Sequence, residues 1–458
     1  MRYIISITII AAAALYSQSS YTLEWVDTTN LSSWDVGTGI VVSNSGFIYA
    51  TGYQWNGADF DGVVLKYDDA GNVIRIIRID IGTYEEPSDI TIDNSGKLYV
   101  TGFTAIGYNY NYGIIKLDDT GSIEWVDTIP NGADPWAHAF IAYDGTECLY
   151  VTGNIVTPDL DIFIAKIDTA GNMLWMRTLD FGNDDDAMGI TYDPVNNFVY
   201  IAGKSNNGAS DDLFLAKLTT EGDTVWTKRI DFGDQDQLWD VATDNYGYVY
   251  ATGLVQRNSL DIVVMKFSPE NGNLMWQTFF DRNHDDYARS ITLDDSGNIY
   301  VTGGSHNPAN TDIIVLKFDQ NHNLVWADTM DLGNNESARA IALNDNGDIF
   351  ITGTCYISDR DIFTAKFRKQ QTGVSEETIS ENITHLNAPT VQHHILKIDY
   401  RVDDVSMFNL VNSAGRRVYS CNVSGAGSLS FNKLKTGVYW AILETEKGVE
   451  TRKIILVR

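Results

Sequence analysis

The chain has 458 residues, 44% of them hydrophobic, which supports a large core and excludes wholesale disorder. Formal net charge is −29, and it is unevenly spread: residues 1–368 hold 21 Lys and Arg against 52 Asp and Glu, whereas 369–458 hold 11 against 9. Such an acidic surface repels phosphate backbones, so nucleic acid is excluded as a partner, while cations, basic surfaces and neutral sugars stay open.

The chain starts "MRYIISITIIAAAALYSQSS". One Arg, an apolar run and small polar residues make residues 1–19 a secretory signal, with cleavage expected near Ser17–Ser20. No later stretch is apolar for long enough to span a membrane as a helix, so no transmembrane segment is expected. A strand follows at 21–28, centred on Trp25.

From there a unit of about fifty residues recurs seven times. An aromatic-x-Thr-Gly element places Gly52, Gly102, Gly153, Gly203, Gly253, Gly303 and Gly353 at spacings of 50 or 51; only Ala202 replaces the Thr. A second run, such as "DIFIAKID" (161–168), always carries a lysine: Lys66, Lys116, Lys166, Lys217, Lys266, Lys317 and Lys366. A third carries Trp25, Trp125, Trp175, Trp226, Trp276 and Trp326, with Arg75 breaking the series. A fourth, such as "YARSITLD" (287–294), precedes the Thr-Gly element.

Each run is short and rich in β-branched and aromatic residues, and Gly, Asn or Asp clusters separate the runs. Four strands per unit in seven units predict a seven-bladed β-propeller. Within each unit the strands are called a ("ITLD"), b (Thr-Gly), c (Lys) and d (Trp). The last unit lacks strand d, and the strand at 21–28 is spare. It is expected to close the seventh blade and so remove an open edge.

The a–b loops call for a left-handed residue at Gly46, Gly96, Asn197, Gly247, Gly297 and Gly347, with Gly145 displaced in the third repeat. Seven equivalent lysines argue for structure rather than catalysis, and the Asp heading strand c in six of the repeats (Asp61, Asp161, Asp212, Asp261, Asp312 and Asp361) is the expected partner. The tryptophans are expected to pack between blades. The three cysteines show no metal or disulfide spacing, which leaves a Cys148–Cys355 bridge open.

The unit Asp-x-x-Gly-Asn-x-Tyr-x-Thr-Gly, then Asp-Ile-Phe-x-Ala-Lys, then Gly-Asn-x-x-Trp resembles the bacterial SBBP-type β-propeller repeat across about 21–368. That resemblance implies the fold and no shared reaction. "AKIDTAGNMLW" (165–175) also looks like the blade motif of pyrroloquinoline-quinone dehydrogenases, but those have eight blades and usually adjacent cysteines, which this chain lacks.

Residues 369–385 are polar and unpatterned and read as a linker. After them come short strands such as "HILKIDY" and "GVYWAIL", expected to form a small Ig-like β-sandwich. "MFNLVNSAGRRVYS" (407–420), "LKTGVYWAIL" (434–443) and the terminal "RKIILVR" resemble the C-terminal sorting domain of type IX secretion substrates over 386–458. The resemblance implies the type IX machinery as a partner and export across the outer membrane, to the cell surface or beyond.

Strand order puts the a–b and c–d turns on one face and the variable b–c and d–a loops on the other. Two site candidates follow on that second face. Acids recur in the d–a loops, and "DRNHDD" (281–286) has oxygens at calcium-loop places but no Gly at the sixth. Asp236, Asp281, Asp285, Asp286 and Glu336 are thus metal candidates, with calcium the ion. Exposed aromatics in the first three repeats, Trp55, Tyr108, Tyr110 and Trp136, suit a polysaccharide or a protein ligand. His138, His284 and His306 fall on this face without metal-ligand spacing, and no nucleophile–base set appears. A binding or scaffold protein is therefore the leading expectation. The alternatives are a glycan-cleaving enzyme using d–a carboxylates and a purely structural surface-layer component.

Overall fold

A computed structural model describes residues 21–106, 109–130, 138–157, 159–357 and 359–370, followed by 385–386, 390–392, 395–412, 417–431, 437–445 and 448–456. The leader at 1–19 and most of the linker lie outside these residues. The chain divides into two compact units that meet in sequence at Thr372 and Gly373.

The first unit is a ring of seven four-stranded antiparallel sheets. Six blades are continuous in sequence, at 35–79, 84–130, 139–179, 185–230, 237–280 and 286–330. The seventh comprises β26 (Ser337–Leu343), β27 (Ile349–Tyr356), β28 (Arg360–Lys369) and, as its outer strand, β1 (Tyr21–Thr29). The expected ring closure is therefore present, with Trp25 opposite Lys366. Strands b and c are buried along nearly their whole length, because each blade is covered on both faces by its neighbours. The apolar clusters lie between blades: one unites Tyr99 and Ile114 of the second blade with Ile141 and Phe163 of the third.

The Thr-Gly element has a physical cause. Strand a carries a one-residue bulge in six blades, for example between Ala288 and Ser290. The bulge pushes a carbonyl against strand b: a Cβ at Gly303 would lie 2.0 Å from the Tyr287 oxygen. Only glycine fits there. The preceding Thr302 turns its hydroxyl the other way and donates to the Ile314 carbonyl of strand c at 2.8 Å. The a–b loops contain the left-handed residues expected of them, including Asn197 at φ 61° and the displaced Gly145 at φ 81°.

The lysine pairing needs correction. Asp161 and Lys166 are five residues apart on an extended strand, hence on opposite faces and roughly 16 Å apart. Five of the lysines instead reach the c–d turn of the next blade: Lys116 Nζ, for example, donates to the Thr169 carbonyl at 2.9 Å and Lys217 Nζ to that of Pro269 at 2.7 Å. The tryptophan indoles bind the same oxygens, Trp125 at 3.2 Å and Trp226 at 3.3 Å. Arg75, which interrupts the tryptophan series, donates to Thr120 O at 2.9 Å and makes the equivalent contact. Lysine and tryptophan together form a blade-to-blade latch. The three cysteines are free, so no Cys148–Cys355 bridge forms.

The second unit is all-β. Its long strand β31 (Ile395–Asn412) pairs with β32 (Arg417–Phe431) and, over its last six residues, with β33 (Gly437–Thr445). Phe408 and Leu410 are buried there. Among the described residues no helix is long and apolar enough to cross a membrane.

Candidate functional site

The face bearing the b–c and d–a loops holds two groups of side chains with no evident architectural task. The first surrounds a cavity of about 170 Å³ lined by residues including Tyr287, Arg289, Arg339, Tyr356, Arg360 and Glu336. Arg289 and Arg339 occupy the bulge of strand a in the sixth and seventh blades, which turns them inward. Arg289 stacks on Trp239 at 3.6 Å and its Nε is buried without a partner. Arg360 stacks on Trp34 at 4.2 Å and donates from Nε to the Tyr356 hydroxyl at 2.6 Å. Among the described residues none of these three guanidiniums forms an ion pair, in a chain with almost twice as many acids as bases.

The field they create is felt across the ring. His138, from the third blade, lies 3.2 Å from Ser88 Oγ. Desolvation within the ring, reinforced by the Arg339 and Arg289 charges, lowers its imidazole to about 4, although the residue itself keeps an exposed surface. Burial lowers Arg289 itself to about 10, with Arg339 adding to the effect.

An aromatic cluster continues from this cavity. Trp34, under Arg360, meets Phe60 edge-on at 6.3 Å; Phe60 also contacts Tyr53, Trp55 and Tyr84 at 5.2 to 5.3 Å. Trp34 is 46% exposed. Of the four aromatic candidates, Trp55 belongs to this cluster, opposite Phe60 in its hairpin. Tyr110 lies on β8 (Asn109–Leu117), with its side chain outside the described residues; Tyr108 and Trp136 are outside them entirely.

The second group is the d–a acids, which prove to be buried rather than rim-exposed. Asp35, Asp185, Asp236 and Asp286 are all 0% exposed. Most of their oxygens serve the loop itself. Asp236 accepts from Phe232 N at 2.5 Å, Gly233 N at 3.1 Å and Gln256 N at 3.0 Å. Asp286 accepts from Arg282 N at 2.7 Å, Asp281 from Asn283 N at 2.5 Å, and Asp285 from Leu260 N at 3.0 Å. One oxygen of each of these aspartates is thus turned to a separate backbone amide, while Asp286 Oδ1 is buried without a partner. Three carboxylate trios do gather within 4.8 Å: Asp61, Asp80 and Glu85; Asp161, Asp180 and Asp185; Asp312, Asp331 and Glu336. Of the five metal candidates named from sequence, only Glu336 is in one of them.

Residues 281–308 match the SBBP β-propeller repeat family, and 389–457 match the secretion system C-terminal sorting domain family. One blade of the propeller thus carries an SBBP repeat, and the C-terminal segment a secretion sorting domain. The protein is accordingly exported by type IX secretion to the cell surface or the extracellular space, and its tail engages that machinery. No curated protein matches its sequence. Among solved structures, Chaetomium thermophilum Raptor is similar at 10% identity and a TM-score of 0.52, over 78% of this chain but only 29% of Raptor. Chaetomium thermophilum Sqt1 is similar at 12% identity and a TM-score of 0.43, over 72% of this chain and 83% of Sqt1. Identities this low speak to the fold alone.

The arginines escaped the sequence reading, although a signal was present. Arg289 and Arg339 stand fifty residues apart at the same repeat position. What the sequence could not show is that a bulge aims this position at the centre of the ring.

Proposed function

We propose that the propeller is an extracellular binding protein whose ligand is an acidic polysaccharide, held on the b–c/d–a face. The observation that carries this reading is the cavity with three guanidiniums free of ion pairs. In so acidic a chain, unpaired arginines would be drawn to carboxylates unless their position served another anion. Planar guanidiniums suit uronate or sulfate groups through paired hydrogen bonds. The cluster around Phe60, starting at Trp34, supplies faces on which sugar rings stack. Trp55 belongs to that platform, and Tyr108, Tyr110 and Trp136 are proposed to extend it. We further propose the working boundaries 1–19 for the signal, 21–368 for the propeller, 369–385 for the linker and 386–458 for the tail.

The glycosidase alternative draws less support, because Asp35 and Asp236 spend their oxygens on backbone amides. Calorimetric titration with uronate-containing, sulfated and neutral oligosaccharides tests the proposal. The acidic ligands should bind, and Arg339→Gln together with Arg289→Gln should weaken them at least tenfold, about 1.4 kcal/mol. Equal binding of neutral sugars, or acidic binding untouched by both substitutions, would refute it.

A further inference from the structure

Among the described residues, two of the three carboxylate trios form no ion pair with a lysine or arginine. Each trio joins the Asp heading strand c of one blade, the first acid of the following d–a loop, and the acid that opens strand a of the next blade. In the trio of Asp161, Asp180 and Asp185, Arg229 Nη2 lies 3.6 Å from Asp185 Oδ1 and Ser205 donates to the same oxygen. The other two carry Glu85 and Glu336 where the repeat otherwise has Asp.

That extra methylene matters. Asp35 and Asp236 have both oxygens partnered, by loop amides and by Ser32 Oγ or Gln256 N. Glu336 gives one oxygen to Asn334 N at 2.7 Å, and its Oε2 is buried without a partner. Glu85 leaves Oε1 buried and unpartnered. These side chains are 1% and 2% exposed, so water does not satisfy them at the surface. A further unpartnered buried oxygen, Asp312 Oδ1, belongs to the Glu336 trio. The third member, Asp80 or Asp331, is exposed and leaves an entry path.

We propose that Asp61, Asp80 and Glu85, and likewise Asp312, Asp331 and Glu336, each bind one calcium ion that fastens a d–a loop to the blade it leaves. Three carboxylates supply up to six hard oxygens, and calcium takes six to eight at 2.3–2.6 Å. Ligands on opposite sides of such an ion are about 4.6–5.2 Å apart, so oxygens spread within 4.8 Å can share one centre. The ion would also supply the positive charge that each trio lacks.

Equilibrium dialysis of the propeller with calcium at neutral pH and physiological salt tests this. Two ions per chain are expected above diffuse binding, with Glu85→Gln and Glu336→Gln each losing one and the double variant both. Calcium should raise the melting temperature of the wild type and not of the double variant. Asp345→Asn, on an exposed a–b turn, controls for general loss of negative charge and should retain two ions. If a glutamine variant fails to fold, Asp80→Asn and Asp331→Asn, at exposed positions, take its place. No stoichiometric calcium in the wild type, or two ions retained by the double variant, would overturn the proposal.

Discussion

Deleting residues 21–29 should abolish the cooperative thermal transition of the propeller, and Trp25→Ala alone should lower stability by about 3 kcal/mol. The strand is nine residues long but closes a ring of seven blades. Without it the outer edge of β28 is left open, with buried side chains behind it. Tyr21 is 5% exposed, and its hydroxyl meets that of Tyr300 at 2.9 Å, so the strand touches the sixth blade as well as its own. Trp25 stacks on Tyr67 of the first blade at 5.9 Å, lies 6.4 Å from Phe350, and donates to the Asp69 carbonyl at 3.0 Å. Beneath it Lys366, whose side chain is fully buried, is surrounded by Glu24, Asp69 and Asp348. Removing the strand takes away Glu24 and exposes that ammonium's surroundings at the first-to-seventh seam. Scanning calorimetry of the two variants gives the answer. A peptide of residues 21–29 supplied in trans should restore the transition, since the strand is held by no covalent link to the seventh blade. An unchanged melting temperature in the deletion would show that the ring does not depend on its closure.

The architecture was legible because a ring repeats its instructions. Seven glycines at a fixed spacing located strand b, and the spare Trp strand announced the closure. Contacts between blades were less legible. The lysine was matched to an Asp on its own strand because the two are close in sequence, but its partner is a turn about fifty residues away. The carboxylate trios met the same obstacle: their members were each noted along the chain, yet Asp61 and Glu85 come together only when two blades pack. The string "DRNHDD" looked more like an ion site because its acids are close in sequence, but the fold turns them toward different amides, in their own loop and at Leu260. Arg289 and Arg339 depended on a bulge, a one-residue event that flips a strand's facing and leaves little trace in composition.

Thermal stability of the propeller should fall as pH rises from 4 to 7, owing in part to two half-buried carboxyls on strand a. Asp89 is pushed up to about 7, chiefly by burial, with the Asp240 charge adding a little. Asp240 is pushed up to about 6 by burial. Their hydrogen bonds act in the opposite direction: Asp89 accepts from Ile141 N at 3.0 Å and Ile90 N at 2.8 Å, and Asp240 from Ile291 N at 2.9 Å, Ser290 Oγ at 2.8 Å and Val241 N at 2.8 Å. Both tie strand a of one blade to strand a of the next, so ionisation occurs at the heart of the ring. An unfolded Asp titrates near 3.9. Between that value and the folded one, the folded state binds the extra proton, so stability decreases with rising pH. The decline should run through pH 4 to 7 and level off above it. Asp89→Asn retains the shape without the ionisation. It should flatten the profile and make the protein more stable than wild type, most at pH 7 and above, less at pH 5, and hardly at all near pH 4, where Asp89 is protonated in both states. Melting curves of wild type and Asp89→Asn across this range decide the matter. A profile with the same slope in both would mean that Asp89 ionises as freely in the ring as in the unfolded chain.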